Sequence, residues 1–313
     1  MTLSLHLPNF NFPDTPPDEL FERLVGIASA AEGSGWSSIT VMDHLHQIPP
    51  VGPRTNYMLE GNTILAALAA RTSRVTLGLL VGGVTYRNPA LMAKIVTTLD
   101  VISGGRAILG LGAAWFEEEH EAYGFDFPRL GVRFEHLEDA LQIARKMFTE
   151  EEPSFEGTHH RISNVLNNPK PLRGDIPIMV GGSGEKKTLR LVAKYADACN
   201  VFAGDAAEFT RLMGVLDGHC ADVGRDPGEI TRTTMRRIVI ADTEAAAKAK
   251  LEAAGVPEPM RPMFVTGAPE QVAEHVQGLI DVGLEGLTVG MVDAHDEDSV
   301  RLVGETLGPL LNR

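Results

Sequence analysis

The sequence is short of positive charge, of sulfur in thiol form and of long apolar runs. Lys and Arg number 28 against 42 Asp and Glu, for a net charge of −14. A nucleic-acid-binding surface needs clustered cations to displace counterions, so this balance argues against one. No apolar stretch approaches the roughly 18 residues of a membrane helix, so no membrane span is expected. The opening residues MTLSLHLPNF lack a basic region and carry His6 and Pro8, which does not read as a secretion signal. The two cysteines, Cys199 and Cys220, cannot build a disulfide framework, and a reducing cytoplasm is the expected location. Glycine, by contrast, is abundant, at 32 of 313 residues. That density suits a chain with many tight strand-to-helix turns.

Strand-like and helix-like segments alternate throughout. Apolar runs at 3–7, 38–42, 75–81, 107–111, 176–180, 198–202, 232–240 and 287–292 read as eight strands. Helical patterns fall at 17–35, 62–70, 89–102, 134–148, 186–195, 205–224, 243–254, 269–282 and 297–311, several with Pro or an acid at the start and Gly at the end. Short, continuously apolar strands alternating with helices indicate parallel βα units buried on both faces. Eight such units predict an α/β fold, a single (β/α)8 TIM barrel over 1–313 with insertion loops, in preference to an open doubly wound sheet. The insertions 46–60 and 149–175 are long enough to cover an active site.

In such a barrel the chemistry lies where strands end at their C-terminal side. Asp43-His44-Leu45-His46 follows the second strand. Polar groups directly after a buried strand are candidates for work, and an imidazole such as that of His44 exchanges protons near neutrality. The alternative is a cap, with Asp43 bonding loop N–H groups. His44 and His46 also suggest a metal pair, but the ends of strands five and six offer no further ligands, so no metal site is expected. Gly181-Gly182-Ser183-Gly184 follows strand five and opens a helix, an arrangement that lets backbone N–H groups approach a phosphate. It fits neither a Walker loop nor the dinucleotide fingerprint, since Lys187 stands where a glycine is required. Gly110 to Trp115 follows strand four. Small residues ending in an indole suggest a flat ligand with Trp115 as a wall, or else a core Trp closing the barrel end. Glu117, Glu118 and Glu119 read as a solvated helix start. The paired glycines Gly82-Gly83 suggest a bulge beneath a ligand, and Arg87 either binds an anion or pairs with a rim acid.

These segments together resemble the luciferase-like monooxygenase superfamily, in its branch of oxidoreductases dependent on the deazaflavin coenzyme F420. The carriers are Asp43-His44, the run VTYRNPALMAKIVTTLDVISGGR (84–106), GLGAAWFEEEHEAYGF (110–125), NPKPLRGDIPIMVGGSGEKKTLRLVAKYAD (168–197) and Cys199-Asn200. The resemblance implies a ring bound at the C-terminal face of the barrel, supported by a non-proline cis peptide near Leu80-Val81-Gly82. It implies that Gly112, Ala113 and Ala114 line the ring and its side chain, and that Gly181, Gly182, Ser183 and Gly184 hold the phosphate. Asp43 would contact the pyrimidine-like part of the ring, with Asn200 among the cofactor-binding residues and His44 near the reactive carbon. Relatives that oxidise sugar phosphates carry a catalytic Glu where this chain has Trp115, so glucose-6-phosphate oxidation by that acid is not expected. Trp115 is instead expected to shape the pocket of an unidentified small organic substrate. The alternative within the superfamily is an FMN-dependent monooxygenase fed by a separate reductase. A third alternative is a protein that binds cofactor without turnover. Homodimers are common among such relatives, but no exposed stripe in this sequence points to one.

Overall fold

The computed structural model describes residues 1–49 and 51–311. Pro50, within the expected 46–60 insertion, and residues 312–313, at the end of the expected single domain, lie outside the described residues. In chain order the elements are β1 (Thr2–Leu7), α1 (Leu20–Gly33), β2 (Ser38–Val41), α2 (Gly61–Ala69), β3 (Thr76–Leu79), β4 (Gly82–Gly83), α3 (Pro89–Ser103) and β5 (Ala107–Gly112). Then come α4 (Glu117–Tyr123), α5 (Leu130–Thr149), β6 (Phe155–Glu156), β7 (Arg161–Ile162), β8 (Ile178–Gly181), α6 (Thr188–Tyr195), β9 (Ala198–Val201) and α7 (Ala206–Val223). The chain continues through β10 (Thr231–Ile240), α8 (Glu244–Ala253), β11 (Phe264–Gly267), α9 (Pro269–Ile280), β12 (Gly286–Gly290) and α10 (Glu297–Leu311).

Eight parallel strands close on themselves in the order β1-β2-β3-β5-β8-β9-β10-β12, with β12 pairing back onto β1. The closed ladder is the TIM barrel expected from the alternation and excludes the open sheet. Strand periodicity sorts the side chains. Leu3, Leu5 and Leu7 of β1 are buried, and the opposite face carries Ser4 and His6, which therefore enter the barrel lumen. The lumen carries paired polar side chains. His6 Nδ1 lies 3.0 Å from Thr40 Oγ1, and Asn200 Nδ2 donates to Thr233 Oγ1 at 2.8 Å and to Thr288 Oγ1 at 3.3 Å. Helix starts and stops follow the sequence signals. Asn88 caps α3 ahead of Pro89, Asp205 caps α7, and Gly104 and Gly224 end those helices with φ of 71° and 69°.

The structure departs from the sequence reading in four places. The expected third strand over 75–81 stops at Leu79, and Gly82-Gly83 re-pairs with β5 rather than prolonging β3; between them the Leu80-Val81 peptide is cis, at the place the resemblance implied. A short further strand, β11, pairs beside the C-terminal half of β10. Helix α4 occupies 117–123, where only a helix start was read. Finally, the segment 149–175 carries the small hairpin β6–β7 and does not reach the cavity at the barrel mouth. It joins a helix to a strand, so topology puts it at the N-terminal end of the barrel, away from the chemistry. There Asp139 of α5 accepts from the backbone N–H groups of Thr158, His159 and His160 and pins the hairpin down.

Candidate active site

A cavity of about 1170 Å³ opens at the C-terminal ends of the strands. Single-ligand sites usually measure roughly 300–1,000 Å³, so it has room for two ligands side by side. Its floor is formed by Leu80, Val81, Gly82, Gly112, Ala113, Ala114, Gly181 and Gly182, and its sides include Asp43, His44, Trp115 and Asn200. Every one of these was singled out in the sequence. Ser183 and Gly184 were too, but they do not line the cavity. The Ser183 hydroxyl instead ties two loops together by accepting from Phe202 N at 2.8 Å. The expected cradle is thus reduced at the cavity to Gly181 and Gly182, joined by Thr188 at the start of α6.

The floor depends on glycine in a specific way. A Cβ on Gly112 or Gly181 would come within 2.8 Å of the Val81 side chain. Both positions therefore let the strand-three segment sit low across the barrel mouth. Gly182 has φ of +124°, a conformation that L side chains rarely adopt.

The polar side of the cavity is organised by two carboxylates. Asp43 accepts from Gly83 N at 2.9 Å and from Arg87 Nη1 at 2.8 Å. Arg87 also donates to Glu60 at 2.6 Å, so the arginine pairs with rim acids, one of the two roles read from the sequence. Burial pushes the Asp43 carboxyl up, against the opposing pull of Arg87 and the Gly83 amide. Burial would raise Glu60 as well, but bonds from Thr63 and Arg87 outweigh it and bring it to about 2.

The second carboxylate is Glu119. It is completely buried, which corrects its reading as part of a solvated helix start. The phase of α4 turns it under the loop that follows β2, while Glu117 and Glu118 stay outside. Glu119 Oε2 accepts from Tyr86 Oη and lies 2.9 Å from His44 Nδ1. Its Oε1 accepts from the backbone N–H groups of Leu45 and His46, the latter at 3.0 Å. Burial alone would raise this acid. The bonds from His44, Tyr86 and His46 N prevail and hold it at about 2, so it is a carboxylate at neutral pH. His44 Nδ1 is thereby occupied, and Nε2 has no hydrogen-bond partner among the described residues. The His44 ring stands edge-on to Trp115, with centroids 5.5 Å apart. Trp115 is 57% exposed at the cavity mouth rather than buried as a core residue. His46 turns away from this cavity and packs against Phe116 and Tyr123.

Sequence reasoning passed over His6, Tyr86 and Arg237, all of which line the cavity. Burial lowers His6 to about 4, with Thr40 opposing and His44 adding to the fall, so its ring is neutral at pH 7. Its strand position was a usable signal, since a polar residue alternating with Leu on a barrel strand must face the lumen. Both cysteines are buried, and burial raises the Cys199 thiol to about 11, which leaves it an inert core thiol.

Asp43 Oδ1 and Asn200 Oδ1 are buried without a hydrogen-bond partner. Two such acceptors on residues that line one cavity above a flat, small-residue floor fit a planar ring with N–H donors at its edge.

Comparison with known proteins identifies the family. Residues 1–260 match the model of the family described as luciferase-like monooxygenase. Among curated relatives, the chain is 33% identical over 225 residues to an F420-dependent glucose-6-phosphate dehydrogenase of Segniliparus rotundus, covering 69% of this chain and 63% of that protein. It is 27% identical over 300 residues to the pyrimidine monooxygenase RutA of Stutzerimonas stutzeri, covering 93% of this chain and 78% of the relative. The chain thus spans less than two thirds of the length of the first of these relatives. The F420-dependent tetrahydromethanopterin reductase of Methanopyrus kandleri superposes with a TM-score of 0.78 at 19% identity over 99% of both chains, which shows a common fold. The chain belongs to the luciferase-like monooxygenase family.

Proposed function

We propose that the protein is an F420-dependent oxidoreductase, moving a hydride between the deazaflavin and a small organic substrate. The observation that carries the proposal is the site's polarity pattern. The cavity offers two unpartnered acceptors, on Asp43 and Asn200, over a glycine floor. It also holds an imidazole fixed by a buried carboxylate. The similarity to an F420-dependent dehydrogenase supports the same reading.

The cofactor, when bound, supplies the hydride chemistry, and the protein supplies orientation and electrostatics. Asp43, Asn200 and the segment Leu80-Val81-Gly82 would hold the ring, with Gly112, Ala113 and Ala114 along its side chain. Gly181 and Gly182, with the N–H groups opening α6, would hold its phosphate. Glu119 holds His44 by Nδ1, which fixes the orientation of the ring and leaves Nε2 without a partner among the described residues. His44 Nε2 would then hold or return the substrate proton, with the Glu119 carboxylate stabilising the imidazolium. Trp115, backed by Phe116 with ring centroids 5.0 Å apart, would wall one side of the substrate pocket.

Thermal unfolding with added cofactor tests the reading. A ligand present at 100 times its Kd stabilises the native state by about 2.7 kcal/mol. F420 is expected to raise the melting temperature, and a substrate panel is expected to yield turnover that falls at least 100-fold in His44→Ala while F420 still binds. The similarity to a pyrimidine monooxygenase supports a second reading, a monooxygenase working with FMN, oxygen and a separate reductase. Stabilisation by FMN and not by F420 would decide for that second reading.

A further inference from the structure

We propose that Arg237 is the receptor for a compact oxyanion, a carboxylate or phosphate, carried by the substrate. Arg237 lies near the C-terminal end of β10 and lines the cavity. It is flanked by Phe264 of β11 and Gly290 of β12, its register partners on either side. Gly290 has no side chain to cover the arginine stem, and the guanidinium stands over the Phe264 ring at 5.6 Å. Among the described residues no carboxylate, carbonyl or hydroxyl hydrogen-bonds it.

The other Lys and Asp side chains of the cavity each have a partner on at least one polar atom. Lys250, the other Lys or Arg that lines it, is bonded to Asp293 at 2.9 Å and to Ser299 at 2.6 Å. Asp43 holds Arg87, and Asp296 accepts from Ser299 and from Asp298 N. Arg237 is therefore a half-buried cation with no counter-charge bonded to it among the described residues. Burial depresses its guanidinium, and no acid is close enough to offset this. Such a group is costly to keep unless a ligand supplies the missing charge. The guanidinium fork suits the two oxygens of a carboxylate or phosphate, and Met235, Met260, Met291 and Phe264 form the apolar surroundings such a substrate would meet. The −14 charge of the chain repels anions at long range, so recognition has to come from a local cation of this kind.

This deepens the oxidoreductase reading and rests on it only in treating the cavity as a substrate site. The phosphate of the cofactor is assigned to Gly181 and Gly182 at the end of β8, two strands away around the barrel. Calorimetry with sodium benzoate, phenyl phosphate and neutral benzamide tests the assignment. Benzoate and phenyl phosphate are expected to bind in competition with each other, and benzamide at least 10-fold more weakly. Arg237→Met is expected to weaken both anions about 10- to 100-fold, the loss of one or two charge-assisted hydrogen bonds. Arg237→Lys retains the charge and is expected to recover most of that loss, while cofactor affinity stays within twofold in both variants. Equal binding of benzamide and benzoate, or benzoate affinity unchanged in Arg237→Met, overturns the proposal. So does loss of cofactor binding in Arg237→Met, which would give the arginine to the cofactor and leave the oxidoreductase reading intact. If the wild type bound neither F420 nor FMN yet still took benzoate through Arg237, the oxidoreductase reading would fail and the anion site would stand.

Discussion

Replacing Glu119 by Gln keeps the shape of the buried carboxylate and removes its charge. The amide oxygen can still accept from Leu45 N and His46 N, but the amide nitrogen must then face His44 Nδ1 and Tyr86 Oη, where an acceptor is needed. The magnitude follows from the acid's own titration. Glu119 falls from 4.5 to about 2 on folding, and each tenfold change in proton affinity is about 1.4 kcal/mol. The charged form therefore contributes about 3 kcal/mol at neutral pH. Because the folded value is the lower one, that contribution is complete above about pH 4.5 and fades as the pH falls towards 2, with about 2 kcal/mol of it gone by pH 3. Urea unfolding of both proteins between pH 7 and pH 3 gives the difference directly. Wild type is expected to exceed Glu119→Gln by about 3 kcal/mol at pH 7, with the gap narrowing by more than half at pH 3. A gap that is constant across this range would mean that the carboxylate's charge is not what holds the loop after β2, and the account of the site would be wrong. If the fold survives, turnover should fall about 100-fold or more while substrate KM changes little, since the carboxylate supports the imidazolium rather than substrate binding.

Gly182→Val places a branched side chain at φ +124° and is expected to weaken cofactor binding at least 10-fold by fluorescence titration; unchanged affinity would remove Gly182 from the site. Burial brings His6 down to about 4, so the fold takes up fewer protons than the unfolded chain between pH 6.5 and 4 and loses stability as the pH falls through that window. His6→Gln should flatten the stability–pH curve there by about 3 kcal/mol in urea unfolding, and a curve superimposable on wild type would show that the imidazole is free to protonate. Arg87→Met strips Asp43 of its ion pair and is expected to cost about 3 kcal/mol, the usual order for breaking a buried pair; a loss under 1 kcal/mol would mean that Asp43 is protonated in the native state.

Much of this site was written in the order of the residues. Eight buried runs, several of them followed by glycine or a polar pair, were enough to give the barrel and to gather Asp43, His44, Gly112, Gly182 and Asn200 at one end. What stayed hidden depended on rotation or on distance along the chain. Of three consecutive glutamates only Glu119 turns inward, and that is set by the phase of a seven-residue helix and by partners more than 70 residues earlier. Ser183 looked like part of a phosphate loop, but its hydroxyl was claimed by Phe202 from the next strand end. The 149–175 segment was long enough for a lid, and only its place between a helix and a strand fixed it at the wrong end of the barrel. Arg237 sits beside Arg236 in a strand read as buried. The alternation sends Arg236 to Ala203 O and His275, and Arg237 into the cavity.

The Glu119 clamp also sets how this active site can vary. One carboxylate fastens residues 44–46, Tyr86 and helix α4, so segments after three different strands behave as a single rigid plate. New substrate preferences cannot easily be introduced by exchanging any one of those segments alone, since each exchange would uncouple the other two. Room for change lies instead on the opposite rim, along residues 254–260, where Val256 and Met260 line the cavity without touching the clamp. Libraries directed there should redraw the substrate range while leaving the proton-handling residues in register.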